Sequence, residues 1–151
     1  MEKYEYPEHS LNPEWINGSI PIDDRAVQWA NTFGAELSRT KVEVVEFRGR
    51  SKKKYIKPLT TSQIRRFFGE VKRIQSDFEK YGQEVPLIKA KLAYAVGRDY
   101  DKDLNRASSK IQEFYDELAI GLAEIRGEAS RFKNFVKLLE AVVAFHKFYG
   151  G

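Results

Sequence analysis

Ten cations between Arg48 and Arg73 carry the one chemistry that this sequence supplies in quantity. Arg48, Arg50, Lys52, Lys53, Lys54 and Lys57 fall in one short run with Tyr55 among them, and Arg65, Arg66, Lys72 and Arg73 follow. Lysine and arginine neutralise phosphates, and an interleaved aromatic ring offers a face on which a base can stack. The net charge of the chain is only +4, but its distribution is uneven. Residues 39–57 hold eight basic and two acidic side chains, whereas residues 1–38 hold two basic and seven acidic ones. Such asymmetry points to a polyanionic partner. A basic patch alone does not separate RNA, DNA and an anionic membrane. No glycine-rich RNP motif and no GXXG clamp accompanies it, so sequence-specific readout by those folds is not expected.

Other chemistries lack their parts. There are two histidines, His9 and His146, and no cysteine, too few ligands for a zinc site. The absence of thiols also excludes disulfides and thiolate catalysis. Asp99, Asp101 and Asp103 are spaced like the start of an EF-hand loop, yet Leu104 stands where the loop needs glycine. They read as acidic residues leading into a helix. Neither a G-x-S-x-G elbow nor a G-x-x-x-x-G-K-[ST] phosphate loop occurs. Glu140 is the one acid set in an apolar run, and either a basic partner or solvent would account for it. His146 suits a stacking contact or a helix C-terminus. No enzyme activity, no metal and no cofactor is expected. The segment from Met1 to Tyr6 is acidic where a signal peptide would be basic, and no apolar run reaches the roughly 20 residues of a membrane span. A cytoplasmic location away from membrane is the expectation. Asn17-Gly18-Ser19 reads as a turn.

The elements that must position these cations are mostly helical. With 151 residues, 42% of them hydrophobic, the chain can bury one core, and residues 1–151 are expected to form one domain. Residues 1–21 contain three prolines among Tyr4, Tyr6, Trp15 and Ile16, which predicts an extended arm with anchoring side chains. Asp23 and Asp24 open a helix whose stripe is Val27, Ala30, Phe33 and Leu37. Residues 39–58 break the pattern: Val42, Val44, Val45 and Phe47 are β-prone, and either a short hairpin or a mobile basic loop fits. Thr60 and Gln63 then form the sequence of a capping box, with Leu59 and Ile64 at the spacing of a hydrophobic staple. Ile64, Phe67, Phe68, Val71, Ile74, Phe78 and Tyr81 share one face of the helix that follows, and Arg65, Arg66, Lys72, Arg73 and Lys80 share the other.

That helix is expected to end at Gly82 in a left-handed cap, and a short helix opening at Pro86 to close at Gly97. Further helices are predicted from about Asp101 to Arg126 and from about Ser130 to Tyr149, the last apolar over most of its circumference and therefore central. The fold class is all-α: a single-domain bundle of about five helices with an irregular arm and a basic loop or hairpin at 39–58. Only Pro58 and Leu59 separate the basic run from the capped helix, so their charges should lie close together.

Three stretches are also familiar as a set. Thr60-Thr61-Ser62-Gln63-Ile64-Arg65-Arg66-Phe67-Phe68, Lys91-Leu92-Ala93-Tyr94-Ala95-Val96-Gly97-Arg98 and Phe132-Lys133-Asn134-Phe135-Val136-Lys137-Leu138-Leu139-Glu140-Ala141-Val142-Val143-Ala144-Phe145-His146-Lys147 resemble, in that order, the small α-helical subunit of type III-A CRISPR effector (Csm) complexes. The likeness spans roughly residues 58–149 and leaves out the arm and the 39–57 loop. It implies a non-catalytic bundle that stacks in several copies along the effector, beside its backbone and large subunits. There the bundle lines the path of the CRISPR RNA and its target RNA, gripping backbone while base pairing reads sequence. By motif position, Arg65 and Arg66 would face RNA, with Arg98, Lys133 and Lys137 as further members. Two other readings compete: a helix-turn-helix-like DNA-binding domain built from the Thr60 and Pro86 helices, and a helical protein–protein adaptor whose basic loop meets an acidic partner.

Overall fold

The computed structural model describes residues 10–151, so His9 and the tyrosines of the expected arm lie outside the described residues. Among the described residues the order is α1 Pro13–Asn17, α2 Asp24–Leu37, β1 Lys41–Phe47, β2 Arg50–Ile56, α3 Thr61–Ser76, α4 Phe78–Tyr81, α5 Val85–Arg98, β3 Tyr100–Asp101, β4 Arg106–Ala107, α6 Ile111–Ile125 and α7 Ala129–Phe148. A 3-10 turn at Gly82–Glu84 joins α4 to α5. The five long helices match the expected bundle. The two antiparallel hairpins correct the all-α class to a largely helical one.

The last helix is central for the reason its composition suggests. It buries Phe132, Phe135, Val136, Leu138, Leu139, Val142 and His146, and α1, α2, α3 and α6 all pack on it. Helix α2 comes closest. At Gly34 an added Cβ would stand 2.7 Å from the Phe145 Cβ and 2.8 Å from the His146 nitrogen, so only hydrogen lets the two backbones approach. The buried face of α2 is Ala26, Trp29, Ala30, Phe33 and Leu37, while Val27 is 46% exposed. The expected stripe thus missed Trp29, which stacks on Phe33 and tilts against Trp15.

Residues 10–21 are not the extended arm that their prolines predict. Asn12 caps α1 by accepting the Glu14 N–H, and Pro13 takes the first turn, where no donor is needed. Leu11, Trp15 and Ile16 are buried in the common core. The Leu11 N–H donates to Glu117 Oε2 at 2.8 Å, and burial pushes that carboxyl above its ordinary range.

Three predicted boundaries move. Helix α3 stops at Ser76 because Asp77 leaves helical geometry (φ −152°, ψ 79°) and turns its side chain onto the Lys80 N–H. Gly82 is right-handed (φ −58°) and not a left-handed cap. It is glycine for space: the Phe78 ring lies 3.0 Å from where a Cβ would be. Helix α5 runs through Gly97 to Arg98. The helix expected from Asp101 starts only at Ile111, because Asp101 Oδ1 accepts the N–H groups of Asp103 and Leu104 and bends the chain into the β3–β4 hairpin. No described helix is long and apolar enough to cross a membrane.

The glycines give a paired test of this packing. Gly34→Ala is expected to destabilise the fold by about 1–3 kcal/mol through overpacking. Gly97→Ala, where a Cβ meets nothing within 4 Å, should stabilise it by about 0.5–1 kcal/mol. Urea unfolding checks both; equal effects would contradict the α2–α7 contact.

Candidate nucleic-acid interface

The basic run is a hairpin. Alternation of β-branched residues with charge sets its register, in which Val42 faces Tyr55, Glu43 faces Lys54, Val44 faces Lys53 and Phe47 faces Arg50. Since side chains alternate, Arg50, Lys52 and Lys54 share one face of the ribbon with Ile56. Lys53 shares the other with Val42, Val44 and Tyr55. The first face turns inward at its root, where Ile56 is fully buried. The second leaves Val42, Val44 and Tyr55 at least half exposed. Arg48 occupies the tip at φ 51° with its guanidinium over the Phe47 ring.

The root is firmly tied. The Lys57 N–H donates to Ser108 O at 2.9 Å, the Lys110 N–H donates to Lys57 O at 2.8 Å, and the Leu59 N–H donates to Leu37 O at 2.8 Å. Halfway along, Lys54 Nζ sits 3.2 Å from Asp101 and 3.3 Å from Asp103, at the end of the β3–β4 hairpin. Hydrogen bonds to Asp101 and then Asp103 raise the Lys54 pKa, and Asp101 is lowered, first by the Leu104 N–H and then by Lys54. Of the three aspartates that resemble a calcium loop, Asp101 and Asp103 therefore hold a lysine, and Asp99 accepts the Ser108 hydroxyl. Among the described residues no cluster of histidines and carboxylates is arranged for a metal ion.

Helix α3 begins as its sequence demands. The Thr60 hydroxyl accepts the Gln63 N–H at 3.1 Å, and Gln63 Oε1 accepts the Thr60 N–H at 3.0 Å. Leu59 and Ile64 are both buried. The two arginines that follow do not act on one surface. At 100° per residue, Arg65 shares a strip with Lys72, whose Nζ reaches Glu140 of α7 at 3.1 Å. Lys133 and Lys137, exposed on α7, stand seven and three residues before Glu140 and share its helical strip. Arg66 lies on the opposite shoulder, in a cleft between α3 and α5 that it lines with Lys91 and Arg98.

The expected cations thus divide into three groups instead of one flank. Arg48, Arg50, Lys52, Lys53 and Lys57 are exposed along the ribbon, which at about 3.4 Å per residue carries Arg50 roughly 24 Å from Lys57. Arg65, Lys133 and Lys137 lie along the α3–α7 seam, and Arg66 and Arg98 flank the α3–α5 cleft. None of these ten makes an ion pair with a described carboxylate. Three others do: Lys54 with Asp101 and Asp103, Lys72 with Glu140, and Arg73 with Glu70 at 2.9 Å and Glu84 at 2.8 Å. Lys91 joins Glu70 at 2.9 Å. Sequence reasoning found Arg73 but not its acids, because those partners lie on α3 and in the 3-10 turn and meet it only after folding. Glu140 pairs with Lys72, and buried His146 donates from Nε2 to Leu59 O at 2.8 Å, since a carbonyl can only accept.

A family model of type III-A Csm2 matches residues 39–151. The chain belongs to the Csm2 family. It is therefore a small subunit of a type III-A CRISPR (Csm) complex. The match begins at the β1 hairpin, earlier than the likeness read from residue 58 onward, so the hairpin is part of the Csm2 pattern. Helices α1 and α2 precede the match and still pack on the matched core. No curated protein and no solved structure matches the chain.

Glu70 supplies a pH test of the α3–α5 junction. Arg73 and then Lys91 pull its carboxyl down to about 2 from an ordinary 4.5. A carboxyl depressed by folding stabilises above its unfolded pKa, and that contribution fades as pH falls toward the folded one. Glu70→Gln should lower the urea midpoint at pH 7, with the deficit shrinking steadily below pH 4.5. A deficit of the same size at every pH would refute the assignment.

Proposed function

We propose that this Csm2-family chain grips the backbone of the CRISPR RNA and its target RNA without reading sequence, and performs no chemistry on it. The observation that carries the reading is the set of exposed cations that pair with no described carboxylate. Arg65 and Arg66 are exposed on the two shoulders of a rigid capped helix, and five more cations stand along the ribbon. The helix fixes the backbone of both arginines, so only their side chains remain to be ordered when a guanidinium meets a phosphate. Sequence discrimination would be left to base pairing between the RNA strands.

The same arrangement supports assembly. Val42, Val44 and Tyr55 form an exposed apolar strip on the ribbon, which suits contact with other copies of the chain or with the backbone and large subunits. The complex would then lie in the cytoplasm with its RNA. The helix-turn-helix reading is less well supported. Eight residues folded into α4 and a 3-10 turn separate α3 from α5, where that motif uses three or four, and Lys91 of α5 turns to Glu70.

Filter or polarisation assays with single-stranded RNA provide the test. If about six phosphates are contacted, log affinity should fall with log salt at a slope near −4, at about 0.7 per contact. Charge reversal at Arg65 and Arg66 together should weaken binding by about tenfold or more, with an unchanged melting temperature, because both side chains are exposed. Lys72→Ala, whose ammonium already has Glu140, should change affinity far less. Preference for duplex DNA would favour the helix-turn-helix reading. Absence of nucleic-acid binding at low salt would leave the adaptor.

A further inference from the structure

The cleft between α3 and α5 has features that a backbone grip does not use. It encloses about 340 Å³, with half-buried Phe67 and Ala95 at its surface over the buried side chains of Leu92 and Phe114. That volume is near the lower end of the range for small-ligand sites, about 300–1,000 Å³. Ala95 puts only a methyl group on this lining, where Ile88 and Leu92 of the same helix carry four-carbon side chains. The Phe67 ring is only half buried and is held edge-on against Phe114 at 5.1 Å, so an aromatic surface is fixed in the opening.

The rim carries a different chemistry. Arg66 of α3 and Arg98 of α5 border the cleft and make no ion pair with a described carboxylate. Glu70 also borders it, but Arg73 and Lys91 already hold that carboxylate, so the two arginines give the mouth its net charge. Gln63 uses its Oε1 in the capping box, and its amide N–H groups make no bond to another described residue. On the outer side of α5, Tyr94 is 71% exposed, three residues after Lys91 and four before Arg98. Those intervals place it on the same helical strip as both cations.

An apolar slot with an aromatic surface, an amide donor at its mouth and two exposed guanidinium groups beside it complements a nucleotide. The faces of a base want apolar or aromatic contact, its edge wants hydrogen bonds, and its flanking phosphates want arginine. An acidic peptide would match the arginines but leave the slot without a planar occupant. We propose that the α3–α5 cleft takes one unstacked base of single-stranded RNA, with Arg66 and Arg98 on the neighbouring phosphates and Tyr94 as an outer stacking face. This inference rests on the RNA-binding reading above and adds a base contact to it. Because the slot is mostly apolar, it accepts bases by shape and stacking, without a sequence code.

The experiment compares a short oligouridylate with an abasic ribose–phosphate oligomer of equal length and charge, each titrated onto the full chain at one salt concentration. The base-bearing oligomer should bind about tenfold tighter, the scale of one base–aromatic stack. Ala95→Trp, which fills the slot, should erase that difference and leave affinity for the abasic oligomer as it was. Ala95→Leu, a milder filling by a good helix former, serves if the tryptophan variant does not fold. Arg66→Ala and Arg98→Ala should weaken both oligomers together. Equal affinity of the native chain for the two oligomers would overturn the base site while leaving the backbone grip intact, and would return the cleft to a protein neighbour. A preference that survives filling of the slot would also overturn it. Failure to bind either oligomer would remove the RNA reading itself, and the base site with it.

Discussion

The fold turns on the short junction from Lys57 to Gln63. Within seven residues the chain leaves a β-ribbon, crosses the core and starts a helix, and the backbone groups of Lys57, Leu59 and Thr60 are all held. Lys57 exchanges hydrogen bonds with Ser108 and Lys110, Leu59 binds Leu37 of α2 through its N–H and His146 of α7 through its carbonyl, and Thr60 and Gln63 cap one another. Four separate parts of the sequence thus meet at one crossing. Leaving a single buried backbone group there unpaired would cost about 1–3 kcal/mol. The direction of α3, and hence of its arginines, is fixed at that crossing. His146 has a structural task for the same reason: it supplies the donor that Leu59 O would otherwise lack.

A two-stranded ribbon is marginal in water by itself. Here it is supported by a second, smaller hairpin whose Asp101 and Asp103 hold Lys54, with Asp101 also fastened to the local backbone. One cation of the basic run is thereby a strut, and its neighbours remain available to solvent. The same division recurs on α3. Arg73 ties α3 to the 3-10 turn through Glu84, Lys91 ties α5 to Glu70, and Lys72 reaches α7. Exposed pairs of this kind contribute little each. Their larger effect is to set the local charge balance, so that net positive charge stays on Arg65, Arg66 and Arg98.

The amino-acid order by itself determined the local events. The capping box at Thr60 and Gln63, the central apolar helix at the C-terminus and the β-prone run before Pro58 are each written in neighbouring residues, where spacing and propensity act directly. The concentration of cations, and with it the expectation of a polyanionic partner, was legible for the same reason. Trp15 and Ile16 anchor residues 10–21 in the core as their apolar side chains suggest, but the extended path that the prolines predict gives way to a short helix, because Asn12 caps it and Pro13 fits its first turn. The helix start at Asp101 was misread because one side chain captured two backbone N–H groups before a helix could form.

Only the tertiary structure decided what the cations do. Arg65 and Arg66 are adjacent in sequence, but a helix turns by 100° between them and other helices occupy both shoulders, so they serve different surfaces. Lys54, Lys72 and Arg73 have the same residue types as their exposed neighbours, and their carboxylate partners come from Asp101, Glu140 and Glu84, up to 68 residues away. The cleft beside Arg66 and Arg98 exists only where α3, α5 and the start of α6 converge. Charge sign and helical phase are properties of the chain, whereas pairing and concavity are properties of its packing.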